Sequence, residues 1–131
     1  MPLSVRSASL VLASVLAAGC AQSGKKPRLP AERVVGDWQS DTLPAADAPG
    51  RVYALRIERG GRADFTSTYV GRPVLVQRGT WDGADSLLRL VVRENGTGTP
   101  ESLLFVVGDS TLVLRGDPER WGSEGLVLRR R

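Results

Sequence analysis

The sequence predicts an all-β fold, a small antiparallel up-and-down barrel of about eight strands. Three observations predict it. From Arg33 onward, short apolar runs alternate with Gly, Asn, Asp and Pro punctuation at roughly 8 to 12 residue spacing. Several runs alternate apolar and polar residues, the period of a strand with one buried face. No stretch carries a convincing helical period. Sequential antiparallel neighbours of this number close best as a barrel, which removes exposed edges. The interior of such a barrel is filled by side chains or holds one small ligand, and the sequence leaves that choice open.

The elements follow in chain order. Val34 to Gln39 is the first strand. Arg51 to Arg59 alternates most cleanly, with Tyr53, Leu55 and Ile57 on one face and Arg56 and Glu58 on the other. Gly60 and Gly61 form a two-residue turn that tolerates positive φ, and Arg62 to Val70 returns with Ala63, Phe65 and Tyr69 facing inward. Further strands are predicted at Val74 to Trp81, Ser86 to Arg93, Ser102 to Val107, Thr111 to Arg115 and Gly125 to Arg130, the last after a break at Trp121 and Gly122. Asp82 to Asp85, Glu94 to Pro100 and Gly108 to Ser110 supply Gly-containing hairpin connections.

Composition bounds the chemistry. A chain of 131 residues has room for one domain. Its 18 Lys and Arg against 14 Asp and Glu are a mild excess without a basic cluster or aromatic platforms, so nucleic acid is not an expected partner. The sequence has no His, one Cys and one Met, which excludes imidazole catalysis, an intramolecular disulfide and CxxC chemistry within this chain. The Ser and Thr residues have no His to activate them, Lys25 and Lys26 precede the strands, and the Asp82 and Asp85 carboxylates sit in a turn open to water. The expectation is no enzyme, no metal site and no cofactor.

The first residues carry an address. Arg6 is the only charge in the first 24 residues, and Ala8 to Ala18 is apolar apart from Ser9 and Ser14. That is the pattern of a secretory signal, well short of the roughly 20 apolar residues of a membrane-spanning helix. Leu16, Ala17, Ala18, Gly19 and Cys20 follow. This run resembles the lipobox of bacterial lipoproteins, with Leu one position earlier than that family prefers. The resemblance implies cleavage before Cys20 and acylation of its thiol and new amine. Several acyl chains hold a protein on a membrane where one does not. Residues 1–19 are then a signal peptide, residues 20–32 a lipidated Cys with a flexible basic tether, and residues 33–131 the barrel domain. Ala21, where Asp would retain a lipoprotein at the inner membrane, implies by resemblance to enterobacterial sorting an outer-membrane anchor with the barrel facing the periplasm.

Two G-x-W triplets stand out, Gly36-Asp37-Trp38 and Gly79-Thr80-Trp81. The first resembles the lipocalin signature, in which a Trp closes the barrel under a basic residue from the last strand. That implies a structural, barrel-closing role for Trp38 and Trp81, with Arg129 or Arg130 over the Trp38 ring.

The segment Thr42-Leu43-Pro44-Ala45-Ala46-Asp47-Ala48-Pro49-Gly50 is similar to the LP-C-x-D-C-x-G loop of NlpE-type lipoproteins, a family linked to copper resistance and envelope stress. The likeness continues through ALRIERGGRADFTSTYVGR, Gly79-Thr80-Trp81, Leu104 to Val107 and Leu126 to Leu128. It implies a lipocalin-like barrel and an envelope sensor protein as partner. Ala45 and Ala48 stand where that family has cysteines, and alanine neither binds a soft metal nor cycles as a disulfide. Copper binding is therefore not expected, and one carboxylate, Asp47, is not a cation site. Pro44, Asp47 and Gly50 remain as a candidate recognition loop. The rival expectation is a carrier holding an apolar small molecule among Tyr53, Leu55, Phe65, Tyr69 and Leu90.

Overall fold

The structure, a computed structural model, describes residues 27–131. Eight antiparallel strands close into one barrel in sequence order: β1 (Gly36–Gln39), β2 (Arg51–Ile57), β3 (Arg62–Tyr69), β4 (Leu75–Ala84), β5 (Leu87–Glu94), β6 (Glu101–Val107), β7 (Thr111–Arg115) and β8 (Leu126–Arg130). The all-β, up-and-down architecture read from the sequence is the one observed. β1 closes the barrel against β8 over a short seam, Trp38 opposite Arg130 and Gln39 opposite Arg129.

The alternation of the strands becomes the division between interior and surface. Tyr53, Leu55, Ile57, Ala63, Phe65, Leu88, Leu90, Val92, Leu103, Phe105, Leu112, Leu114 and Leu128 are all buried in one continuous core. The exterior has two faces. Across β1 to β5 runs a charged row, with Asp37 opposite Arg56, Arg56 opposite Asp64, Asp64 opposite Arg78, and Arg78 opposite Arg93. Across β5 to β8 the corresponding row is aliphatic, with Leu87 opposite Val106, Val106 opposite Val113, and Val113 opposite Val127.

Several boundaries differ from the sequence reading, each for a local reason. Residues 27–32 are built into the barrel and are not free tether. Arg28 pairs with Ala84, the Leu29 amide donates to the Gly83 carbonyl at 3.2 Å, and Leu29 is buried. Gly83 makes the seat, since a Cβ there would lie 2.7 Å from Leu29 Cδ2. A short 3-10 turn, Ala31–Arg33, then places Val34 in the core, so β1 begins at Gly36 and not at Val34. The connection between β2 and β3 takes four residues, Glu58 to Gly61, closed by Glu58 N–H to Arg62 O at 2.9 Å, with Gly61 at φ 95°. β4 runs on through Asp82 to Ala84, which leaves only Asp85 and Ser86 as the turn into β5.

The largest difference lies at Trp121. The expected break is a one-turn helix, α1 (Pro118–Trp121), capped by the Asp117 carboxylate accepting from the Glu119 amide at 3.0 Å. It carries Trp121 inward over the open end of the barrel.

Candidate functional site

The barrel has two ends. One holds residues 27–35 and the turns after β2, β4 and β6; the other, the mouth, holds the connections after β1, β3, β5 and β7.

The first end is closed by Trp38. Its indole Nε1–H donates to the Val34 carbonyl at 2.8 Å, and the Arg130 guanidinium lies over the ring, 4.4 Å from its centroid. The same guanidinium donates to the carbonyls of Val35 at 2.7 Å and Arg33 at 2.9 Å, clamping the 3-10 turn to β8. Gly36 makes room for it: at φ 135° it has no side chain, and a Cβ would sit 2.8 Å from Arg130 Nη1. Of the two arginines offered for this position, Arg130 takes it. Arg129 points the other way, to Asp41 at 3.2 Å across the β1–β8 seam.

Trp81 is not joined to this plug. It is half-buried on the wall at the same end, its Nε1–H donating to the Glu58 carbonyl at 2.7 Å. With Leu29, Ala84 and Leu87 it lines an open groove of about 760 Å³. Arg28, Arg59 and Arg89 also line that groove.

At the mouth, Trp121 meets Tyr53 edge-on at 5.3 Å between centroids and Phe65 at 6.2 Å; Tyr53 in turn stacks on Phe65 at 5.8 Å. Arg120 covers the outer face of Trp121 at 4.4 Å and pairs with Glu101, which also accepts from Gln77 Nε2 at 3.0 Å. Of the residues expected to line a ligand space, Tyr53, Leu55, Phe65 and Leu90 are buried against one another and the rest of the core, while Tyr69 is half-buried near the rim. Burial first, and the adjoining Tyr69 hydroxyl second, push the Tyr53 phenol up to about 12. The Tyr53 interaction holds the Tyr69 phenol below its ordinary value, with help from Arg51.

The loop after β1 is pinned at both ends of its run. Leu43 bridges to Arg51, and the Asp47 carboxylate pairs with Arg72 at 2.9 Å while its carbonyl accepts from the same guanidinium at 3.0 Å. Gly50 is needed here because a Cβ would lie 2.7 Å from Thr42 Cγ2. Pro44 borders a second cleft of about 320 Å³ with Asp41, Arg51, Trp121 and Arg129. The structure thus places Pro44, Asp47 and Gly50 on one side of the mouth, away from the Trp38 plug. Cys20 lies outside the described residues.

Trp121 is the residue the sequence reading missed. A signal was present in Gly116-Asp117-Pro118-Glu119-Arg120-Trp121-Gly122: an N-capping Asp, Pro at the first helical position and Gly after the last.

Comparison with known proteins gives a likeness of fold. No protein-family model and no curated protein sequence matches the chain. Among solved structures, lipoprotein YedD from Klebsiella pneumoniae superposes with a TM-score of 0.55 at 17% identity, over 81% of this chain and 77% of that one. A protein from Shewanella oneidensis proposed to be a lipoprotein gives a TM-score of 0.49 at 18% identity, over 74% of this chain and 88% of that one. At such identities the YedD match establishes a shared barrel architecture.

Proposed function

We propose that the protein is a bacterial envelope lipoprotein, acylated at Cys20 and held on the periplasmic face of the outer membrane, whose barrel acts without catalysis. The single observation that carries this reading is the position of the chain's one Cys, directly after an apolar signal and a lipobox-like LAAGC run. A barrel of the architecture found in the YedD lipoprotein is consistent with it. Labelling with an alkynyl palmitate analogue tests the anchor. Label is expected on the natural chain and lost for Cys20→Ala; a natural chain that takes up no label sinks the reading.

Within that role we propose an NlpE-type contribution to envelope stress signalling, through protein contacts made at the mouth by the loop holding Pro44, Asp47 and Gly50. Copper plays no part in it, since Ala45 and Ala48 occupy the positions of that family's cysteines. Two features favour contact over carriage of an apolar molecule. Four of the candidate lining side chains, Tyr53, Leu55, Phe65 and Leu90, are packed in the core, and Trp121 covers Tyr53 and Phe65. In-cell crosslinking from position 47 together with native mass spectrometry of the purified protein separates these readings. A crosslinked envelope sensor with an empty barrel supports signalling, and a stoichiometric bound metabolite overturns it in favour of the carrier.

A further inference from the structure

The groove beside the first end has no role in the reading above. Its apolar surface comes from Trp81, Leu29, Ala84 and Leu87, the last with 36% of its surface exposed. Three guanidinium groups line it as well. Arg89 is paired with Asp82 at 3.0 Å and Arg59 with Glu32 at 3.6 Å, while Arg28 makes no ion pair among the described residues. The chain enters the fold at this groove. The Pro27 carbonyl accepts from the Asp85 amide at 2.8 Å, and Arg28 is itself part of the lining. Cys20 stands seven residues before Pro27, a reach of about 25 Å at full extension, and Lys25 and Lys26 lie on the way. Leu87 also begins the aliphatic outer row of β5 to β8, so groove and apolar face are continuous.

We infer that this groove seats the anionic headgroup of a phospholipid in the membrane that holds the chain, so that the barrel rests on the bilayer by its tethered end. The inference rests on the lipid-anchored reading proposed above. The Arg28 guanidinium meets the phosphate, since a planar fork of donors suits phosphate oxygens, while Arg89 remains paired with Asp82, which also lines the groove. Trp81 and Leu87 take the boundary between headgroup and acyl chain, where a ring with one polar edge is favourably placed. The anchor keeps the groove within reach of the surface, so a weak site is sufficient. The mouth, with the loop holding Asp47, then faces away from the membrane.

The test uses residues 20–131 with Cys20→Ala, which contain every element of the closed barrel and cannot be acylated. Sedimentation with vesicles of phosphatidylcholine alone, or with about one third phosphatidylglycerol, reads the binding. Trp81 emission reads the position, because Trp38 and Trp121 are buried. Binding at least tenfold tighter to the anionic vesicles is expected, with a blue shift of emission that Trp81→Phe abolishes. Arg28→Glu should weaken binding about tenfold, whereas Arg93→Glu, the same charge change on the distant charged row, should leave it within twofold. Equal losses from Arg28→Glu and Arg93→Glu, or anionic binding without a change in Trp81 emission, overturn the site. Failure of palmitate labelling in the natural chain would instead count against the anchor, and the vesicle result would still decide the groove.

Discussion

Adjacent arginines at the end of the chain differ in what they hold. Arg130 covers Trp38 and donates to carbonyls of the 3-10 turn, whereas Arg129 makes one ion pair with Asp41 between largely exposed side chains. Hydrogen bonds from a charged donor and a cation–π contact each contribute on the order of 1 to 3 kcal/mol, and an exposed pair about 1 or less. Arg130→Ala is therefore expected to lower stability by at least about 2 kcal/mol in urea titration, and Arg129→Ala by less than about 1. Equal effects would show that the clamp is not what closes this end. A second contrast lies in the charged row. Arg78 and Arg93 stand directly opposite one another, both exposed, and like charges so placed are destabilising. Arg93→Glu should add about 0.2 to 1 kcal/mol, seen as a rise in Tm. Gly79 tolerates nothing larger: a Cβ would fall 1.8 Å from the Val91 carbonyl oxygen, so the glycine of the second G-x-W triplet serves the close approach of β4 and β5.

The strands were legible because each carries its own signal. Tyr53-Ala54-Leu55-Arg56-Ile57 alternates inside and outside whatever surrounds it, and the observed burial repeats that alternation. What was hidden depends on distant partners. Leu29, in a run of Pro, Lys and Arg, has no periodic neighbours and reads as tether; it is buried only because Gly83, over fifty residues on, leaves a seat for it. Trp121 reads as a break because one helical turn is too short to show a period, yet its ring is the cover of the mouth. In the same way, the sequence could offer both arginines to Trp38, and only the register of β8 against β1 chooses Arg130. The two end pieces should matter unequally to their caps and anchors. Trp121→Ala is expected to cost about 3 to 5 kcal/mol, while Asp117→Ala, which removes the N-cap alone, should cost about 1. Hydrogen exchange gives the finer reading: loss of protection confined to β7–β8 and α1 would mean that Trp121 anchors its own helix and does not secure Tyr53 and Phe65.

Taken whole, the barrel is insulated from pH across the neutral range. The sequence has no His, and its one Cys and both Lys precede residue 27, so between carboxylates and phenols the described residues offer nothing to titrate. Unfolding free energy should stay flat from about pH 6 to 9. The alkaline limb belongs to Tyr53. Its folded pKa, pushed up by burial to about 12, lies above the value of 10.0 for an unburied phenol. A raised folded pKa favours the protonated form in the folded state, so the contribution is complete below pH 10 and drains away as pH rises towards about 12. Tyr69 works in the opposite sense. Its phenol is lowered by Tyr53 and Arg51, so its contribution is present above the unfolded value and lost as pH falls through the folded one. Urea midpoints measured from pH 6 to 12 are therefore expected to fall above pH 10. In Tyr53→Phe, which keeps the ring against Phe65 and Trp121 but has no phenol to ionise, the fall should be shallower even though the variant starts from a lower plateau. A fall of the same size in both proteins would mean that the alkaline sensitivity does not lie in the Tyr53 phenol.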